Sequence, residues 1–247
     1  FAVPVNAAAG WDFSDNGSYT VNMKATQVAD LDPLFVSAGL LGTFSVGIPA
    51  NYVVDITADE DDGNVGAGDL SLREAIKLAN AASSADSVSF SPLFNAAQTI
   101  TLTLGELVVS DAVQIIGSGS SLLTVSGGGT SRVFNIATPN TFAAISISGM
   151  KITGGSSTAD GGGITMADED VTLTNVIVTG NVTTTEGAGI NISTASGKLT
   201  LIDSVVSNNT TTGALQDGGG INFDVTATNA ASQVLTLTRS TVSGNVA

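Results

Sequence analysis

Cysteine and histidine are both absent from this 247-residue chain. Their absence excludes disulfides, thiol chemistry, imidazole acid/base catalysis, a serine-histidine triad and nearly all zinc sites. Basic residues are scarce too: 7 Lys and Arg stand against 22 Asp and Glu, a formal net charge of −15. That balance disfavours nucleic acid and anionic membrane surfaces and makes cations the natural counter-partners. The uncharged run from Phe35 to Val54 approaches spanning length, but Ser37, Thr43, Ser45, Pro49 and Asn51 interrupt it. Thr43 to Ile48 alternates like a strand, so we expect strand or buried loop there and no membrane insertion. The chain starts at Phe1 with no basic n-region, so no signal peptide is read; a mature or excised fragment would look the same.

What the chain does contain is apolar residues, 43% of the total, enough to argue for a folded core over disorder. Its second half repeats. The segments Ala144–Gly155, Asp170–Asn181, Lys198–Asn209 and Val234–Asn245 align without a gap, with their ends 26, 28 and 36 residues apart, a spacing that signals a solenoid. Period-2 alternation within each copy gives apolar inward columns: Ile145/Val171/Leu199/Leu235, Ile147/Leu173/Leu201/Leu237 and Ile152/Val178/Val206/Val242. A second strand follows a glycine turn in each copy, giving Ile164/Ile190/Ile221 and Met166/Ile192/Phe223. Arg132 to Ile136 looks like an earlier copy of that strand. The pattern predicts an all-β chain, a right-handed parallel β-helix over residues 99–247, starting near Thr99 and holding about six coils. Asn181, Asn209 and Asn245 recur at one corner. Side-chain amides stacked there can bond coil to coil, and a repeated polar corner serves structure, since a catalytic site occurs once.

Residues 55–98 contain Asp69-Leu70-Ser71-Leu72-Arg73-Glu74-Ala75-Ile76-Lys77-Leu78-Ala79-Asn80. Ser71 and Glu74 have capping-box spacing, and Leu72, Ala75, Ile76 and Ala79 share one helical face, so a helix is expected near 71–80, lying across the open end of the solenoid as a cap. Arg73 and Glu74 are read as capping and pairing residues, because one helix turn supplies no second acid/base partner. The segment resembles the S-L-R-E-A-I-x-x-A-N core of the CSLREA domain, with Leu70 where that family usually has Cys, which leaves no thiol role here. The resemblance implies an adhesin-like bacterial surface protein whose parallel β-helix begins after this domain. Residues 1–54 hold two alternating stretches, Asn16 to Ala25 and Gly42 to Ile48, around the Asp-containing connection Val28 to Pro33. They resemble the final strands of a bacterial Ig-like module, a G-x-Y-T-V strand followed by a V-x-D turn. A sandwich needs about seven strands, so we expect the missing ones to come from a longer chain or from another subunit. No C-terminal cap is visible after Asn245, which raises the same expectation there.

Candidate chemistry is sparse. The run Asp59-Glu60-Asp61-Asp62-Gly63-Asn64 begins like a D-x-D-x-x-N oxygen-ligand loop. It makes Asp59, Asp61, Asp62 and Asn64 the candidate Ca²⁺ ligands, without the later bidentate Glu of an EF-hand; a solvated acidic turn is the alternative. On the coils, Asp160, Asp168, Glu169, Asp170, Glu186, Asp203, Asp217 and Asp224 fall almost all at turns. A polysaccharide lyase or glycoside hydrolase would need such acids converged on one wall or paired on neighbouring coils; Asp203 shares its column with Asn175 and Arg239, so it is a single carboxylate. Outward Thr columns on the strands suit exposed β-structure more than an ice-binding face. The composition, low in Lys and rich in Thr, Gly, Asn and Ser, resembles that of secreted bacterial surface proteins. The expectation is therefore an extracellular structural or adhesive segment and not an enzyme. Its partners would be copies of itself or neighbouring repeats joined end to end, and a surface glycan or protein held by the polar inserts, such as Ser156–Asp160 and Thr210–Asp217. A carbohydrate-active enzyme on the same scaffold is the alternative.

Overall fold

The computed structural model describes residues 17–24, 38–82, 84–139, 143–193, 197–213, 217–223 and 234–247. The Val28 to Pro33 connection and the insert that contains Asp224 lie outside them. The chain divides into two compact units, one of Phe1–Ala50 with Ala82–Ser84 and one of Asn51–Ala81 with Ala85–Ala247.

In the first unit the strand Gly17–Met23 pairs antiparallel with Gly39–Val46. The register runs from Gly17 opposite Val46 to Met23 opposite Gly39, with a shift between Val21 and Asn22. Tyr19 stacks on Phe44 with ring centroids 5.4 Å apart. The uncharged run thus carries a strand, as its alternation requires, and no described helix is long and apolar enough to cross a membrane.

The second unit is a parallel β-solenoid. Its first wall stacks seven strands in the order Asn51–Val54, Asp86–Phe90, Val113–Ile116, Ala144–Ser148, Asp170–Thr174, Lys198–Ile202 and Val234–Thr238. The second wall stacks Gln98–Thr101, Leu123–Ser126, Lys151–Thr153, Ile177–Thr179, Val205–Ser207 and Thr241–Ser243. The third stacks Leu107–Val109, Phe134–Ile136, Ile164–Met166, Ile190–Ile192 and Ile221–Phe223. A short corner sheet of Ser156–Ser157, Val182–Thr183 and Thr210–Thr211 joins the second wall to the third. The third wall's five strands mark about five turns, where the repeat spacing suggested six; the second wall holds one strand more and the first wall two more.

Every apolar column written from the sequence pairs in that register, including Ile145–Val171–Leu199–Leu235 and Ile164–Ile190–Ile221. The earlier copy is there too, with Phe134 opposite Ile164. Leu173, Leu201, Val178 and Val206 are fully buried, each stabilising the stack by about 1.5–3 kcal/mol relative to exposure. In the last coil the same columns open, with Leu235 40%, Leu237 47% and Val242 42% exposed.

The parallel stack starts earlier than Thr99. Asp86–Phe90 and Asn51–Val54 already belong to the first wall. The inward position filled by Val113 and Ile145 in later coils is Asp86 here, and a carboxylate in an apolar column hides the repeat from a hydropathy reading.

Two corners recur in the left-handed backbone region. Between the first and second walls the column is Gly149, Asn175, Asp203 and Arg239, with φ of 61°, 53°, 50° and 49°. After the second wall it is Gly154, Gly180, Asn208 and Gly244. Gly and Asn adopt this conformation readily, whereas Arg does so at a steric cost.

Helix α1 (Leu72–Ala81) buries Leu72, Ala75, Ile76 and Ala79. It packs on Asn51–Val54, Asp86–Phe90 and Leu107–Val109, the first strands of the solenoid.

Candidate functional site

Polar chemistry concentrates where the acidic segment 55–69 meets the start of α1. Glu74 N donates to Ser71 Oγ at 3.1 Å and Ser71 N donates to Glu74 Oε2 at 3.2 Å, the reciprocal pair of a capping box. Glu74 Oε1 also accepts from Gly63 N at 3.1 Å, and Ser71 Oγ donates to Glu60 O at 2.8 Å. The box therefore starts the helix and holds the acidic segment against it.

Asp59 reaches further. Its carboxylate accepts from Arg73 Nε at 2.7 Å and Nη2 at 3.0 Å, and from the Thr103 and Leu104 amides at 2.6 and 2.8 Å. The two side chains are 1% and 10% exposed. Arg73 in turn donates to Gly105 O and Glu106 O at 2.6 and 2.9 Å. This clasp ties the acidic segment, the helix and the first coil together. Burial alone would raise the Asp59 carboxyl, but the Arg73 hydrogen bond and the two amides together hold it below the ordinary carboxylate value.

The other candidate Ca²⁺ ligands have side-chain and backbone partners of their own. Asp61 pairs with Lys77, Asp62 Oδ1 accepts from Asn64 N at 2.8 Å, and Asn64 donates from its amide to Asp69. Among the described residues no group of three or more acidic side chains is placed to hold a metal ion. Glu60 carries a raised pKa, from desolvation first and then from the Asp69, Asp62 and Glu74 carboxylates.

The corner asparagines form a ladder. Asn181 Oδ1 accepts from Gly155 N at 2.8 Å; Asn209 Oδ1 accepts from Asn181 N at 3.0 Å and Nδ2 at 2.9 Å; Asn245 Oδ1 accepts from Asn209 N at 3.0 Å and Nδ2 at 2.9 Å. Each Nδ2 also donates to the second wall of the preceding coil, at Ile152 O, Val178 O and Val206 O. Asn181 and Asn209 are fully buried, so these amides satisfy backbone groups that water does not reach.

Six of the acids named on the coils fall into two sets. Asp203, Asp170 and Glu169 each hold a partner: Asp203 pairs with Arg239, Asp170 with Lys198, and buried Glu169 accepts from the Thr138 and Ala167 amides at 2.7 and 2.8 Å. Asp160, Glu186 and Asp217 stack at equivalent places before the third wall, with Gly161 N bonded to Glu186 O and Gly187 N to Asp217 O. Asp160 Oδ1 accepts from Glu186 N at 3.1 Å, and Glu186 Oε2 accepts from Asn222 at 2.7 Å. Glu106 belongs beside them, bonded to Arg132 at 2.8 Å and Asn135 at 2.7 Å. Reading the acids singly missed this column, although an acid precedes each glycine turn at 160–163, 186–189 and 217–220.

Set against protein-family models, curated proteins and solved structures, the chain matches none.

Proposed function

We propose that the chain is a segment of a bacterial extracellular surface protein, in which the solenoid, wound as a right-handed β-helix, is a stiff stalk. The observation that supports this best is the asparagine ladder from Gly155 through Asn181 and Asn209 to Asn245. It adds a buried line of hydrogen bonds along the stack, alongside the strand ladders and the apolar columns, and its residues are spent on coil-to-coil cohesion. In this reading α1 is the cap of the first coil. The N-terminal strand pair is the end of an Ig-like module completed by strands from a neighbour, so that copies or repeats join end to end. Loops between the walls carry recognition of a surface glycan or protein.

Electron microscopy of the purified protein, with and without a calcium chelator, tests it. Fibres or a lattice are expected. Their loss on chelation would assign calcium to the joints, through the Asp59, Asp61, Asp62 and Asn64 segment; dispersed particles in both conditions would overturn end-to-end assembly.

A second reading, a carbohydrate-active enzyme, draws on the carboxylate column Asp160, Glu186 and Asp217. Cleavage of an acidic polysaccharide that disappears in Glu186→Gln would favour it over the stalk.

A further inference from the structure

The third wall begins with Leu107–Val109, and its neighbour in the next coil is Phe134–Ile136. Leu107 N donates to Val133 O at 2.9 Å and Ala137 N donates to Val109 O at 3.0 Å. Along a parallel strand the backbone groups of successive residues face alternate sides. Val108 O, Glu106 O and Ser110 N therefore face away from the second coil, along the open edge of the wall.

All three are occupied by side chains of α1. Asn80 Nδ2 donates to Val108 O at 2.8 Å, and Asn80 Oδ1 accepts from Ser110 N at 2.9 Å. Arg73 Nη1 donates to Glu106 O at 2.9 Å. Asn80 lies seven residues after Arg73, about two helical turns, so both project from the same side of α1.

The Asn80 pattern is specific. In a parallel sheet one residue of the incoming strand donates its N–H to a carbonyl of the edge strand and accepts, at its own C=O, from the N–H two residues further on. Asn80 makes that pair of bonds with one side-chain amide, across Val108 and Ser110. The carboxamide stands where the peptide group of a neighbouring strand would stand.

We propose that Asn80, seconded by Arg73, is a plug that keeps this edge of the third wall closed to parallel strand addition, and that the strand it excludes is a third-wall strand of a second copy. The partner follows from the register. The wall repeats one three-residue pattern, with Leu107, Phe134, Ile164, Ile190 and Ile221 in a single column, so the strand that best fits the edge is another of the same wall. An unpaired edge is a template for such pairing. The inference does not depend on the stalk reading, since it concerns the closed state of one edge and not the joints of a fibre.

Sedimentation velocity of the unaltered chain, Asn80→Ala and Arg73→Ala over a hundredfold range of concentration tests the plug. Both variants are expected to shift towards dimers and larger head-to-tail species at concentrations where the unaltered chain does not, because among the described residues the third-wall strand with a free edge, Ile221–Phe223, lies at the opposite end of the wall. Hydrogen exchange at the Ser110 amide should be faster in dilute Asn80→Ala and slow again as the dimer forms. A labelled peptide of residues 187–192 should bind Asn80→Ala at least tenfold more tightly than the unaltered chain. If Arg73→Ala fails to fold, Asn80→Ala and the peptide still decide. A folded Asn80→Ala that sediments like the unaltered chain, leaves Ser110 freely exchanging and ignores the peptide would overturn the proposal. Absence of fibres from the unaltered chain, with these changes present in Asn80→Ala, would count against the stalk alone.

Discussion

Arg239 lies one coil beyond Asp203 at the same left-handed corner, and its Nε and Nη2 donate to the two carboxylate oxygens of Asp203 at 2.6 Å each. The bidentate pair holds two residues in a backbone conformation that L side chains rarely adopt. Asp203 is lowered by the Arg239 hydrogen bond and charge, and Arg239 is raised by the same contact.

The pair is exposed, so its contribution is screened by salt. Arg239→Gly is expected to raise the thermal midpoint, because relief of the left-handed strain outweighs an exposed ion pair. Arg239→Ala, which keeps the strain and loses the pair, is expected to lower it. Thermal denaturation at low and high salt reads both, and the deficit of Arg239→Ala should shrink in high salt.

Removing the middle rung of the ladder should be costly. Asn209→Ala leaves Asn181 N, Asn181 Nδ2 and Val178 O without their partners in a buried corner. At about 1–3 kcal/mol for each buried orphan, the expected loss is about 3 kcal/mol or more in denaturant unfolding. Asn245→Ala, at a partly buried rung, should cost less.

The inward columns give a graded contrast. Leu201 is fully buried and Leu237, one coil on in the same column, is 47% exposed. Leu201→Ala should lose about 2–5 kcal/mol. Leu237→Ala should lose less than about 1.5 kcal/mol, because much of its surface already meets water. Equal losses would mean that the last coil is not open as described.

These columns were legible in the sequence because period-2 alternation recurs in four aligned copies, each confirming the face of the next. The Asp86 strand was not legible, since a carboxylate fills its inward position, and Asn51–Val54 joins the wall only by pairing with residues some 35 positions later. Ser71 and Glu74 could be read from local spacing. The Asp59 clasp could not, because its partners lie 14 residues away on the helix and 44 to 45 residues away on the first coil. In the fold that carboxylate accepts from Arg73.

That clasp carries a pH dependence of known sign. Because the Asp59 carboxyl is lowered in the folded chain, it contributes stability that is full above the ordinary carboxylate value and is lost as pH falls through its depressed folded value. Asp59→Asn should lose about 3 kcal/mol at neutral pH by leaving Arg73 buried beside a neutral amide. It should also flatten the acid limb of a stability-against-pH curve. A parallel acid limb in the variant would remove Asp59 from the account.

Fibre diffraction from drawn, aligned protein tests the central claim most directly. Strands stacked along a stalk that joins end to end place the strand spacing, about 4.8 Å, on the meridian as a sharp arc. An unoriented ring, or the same spacing on the equator, would contradict assembly along the solenoid axis.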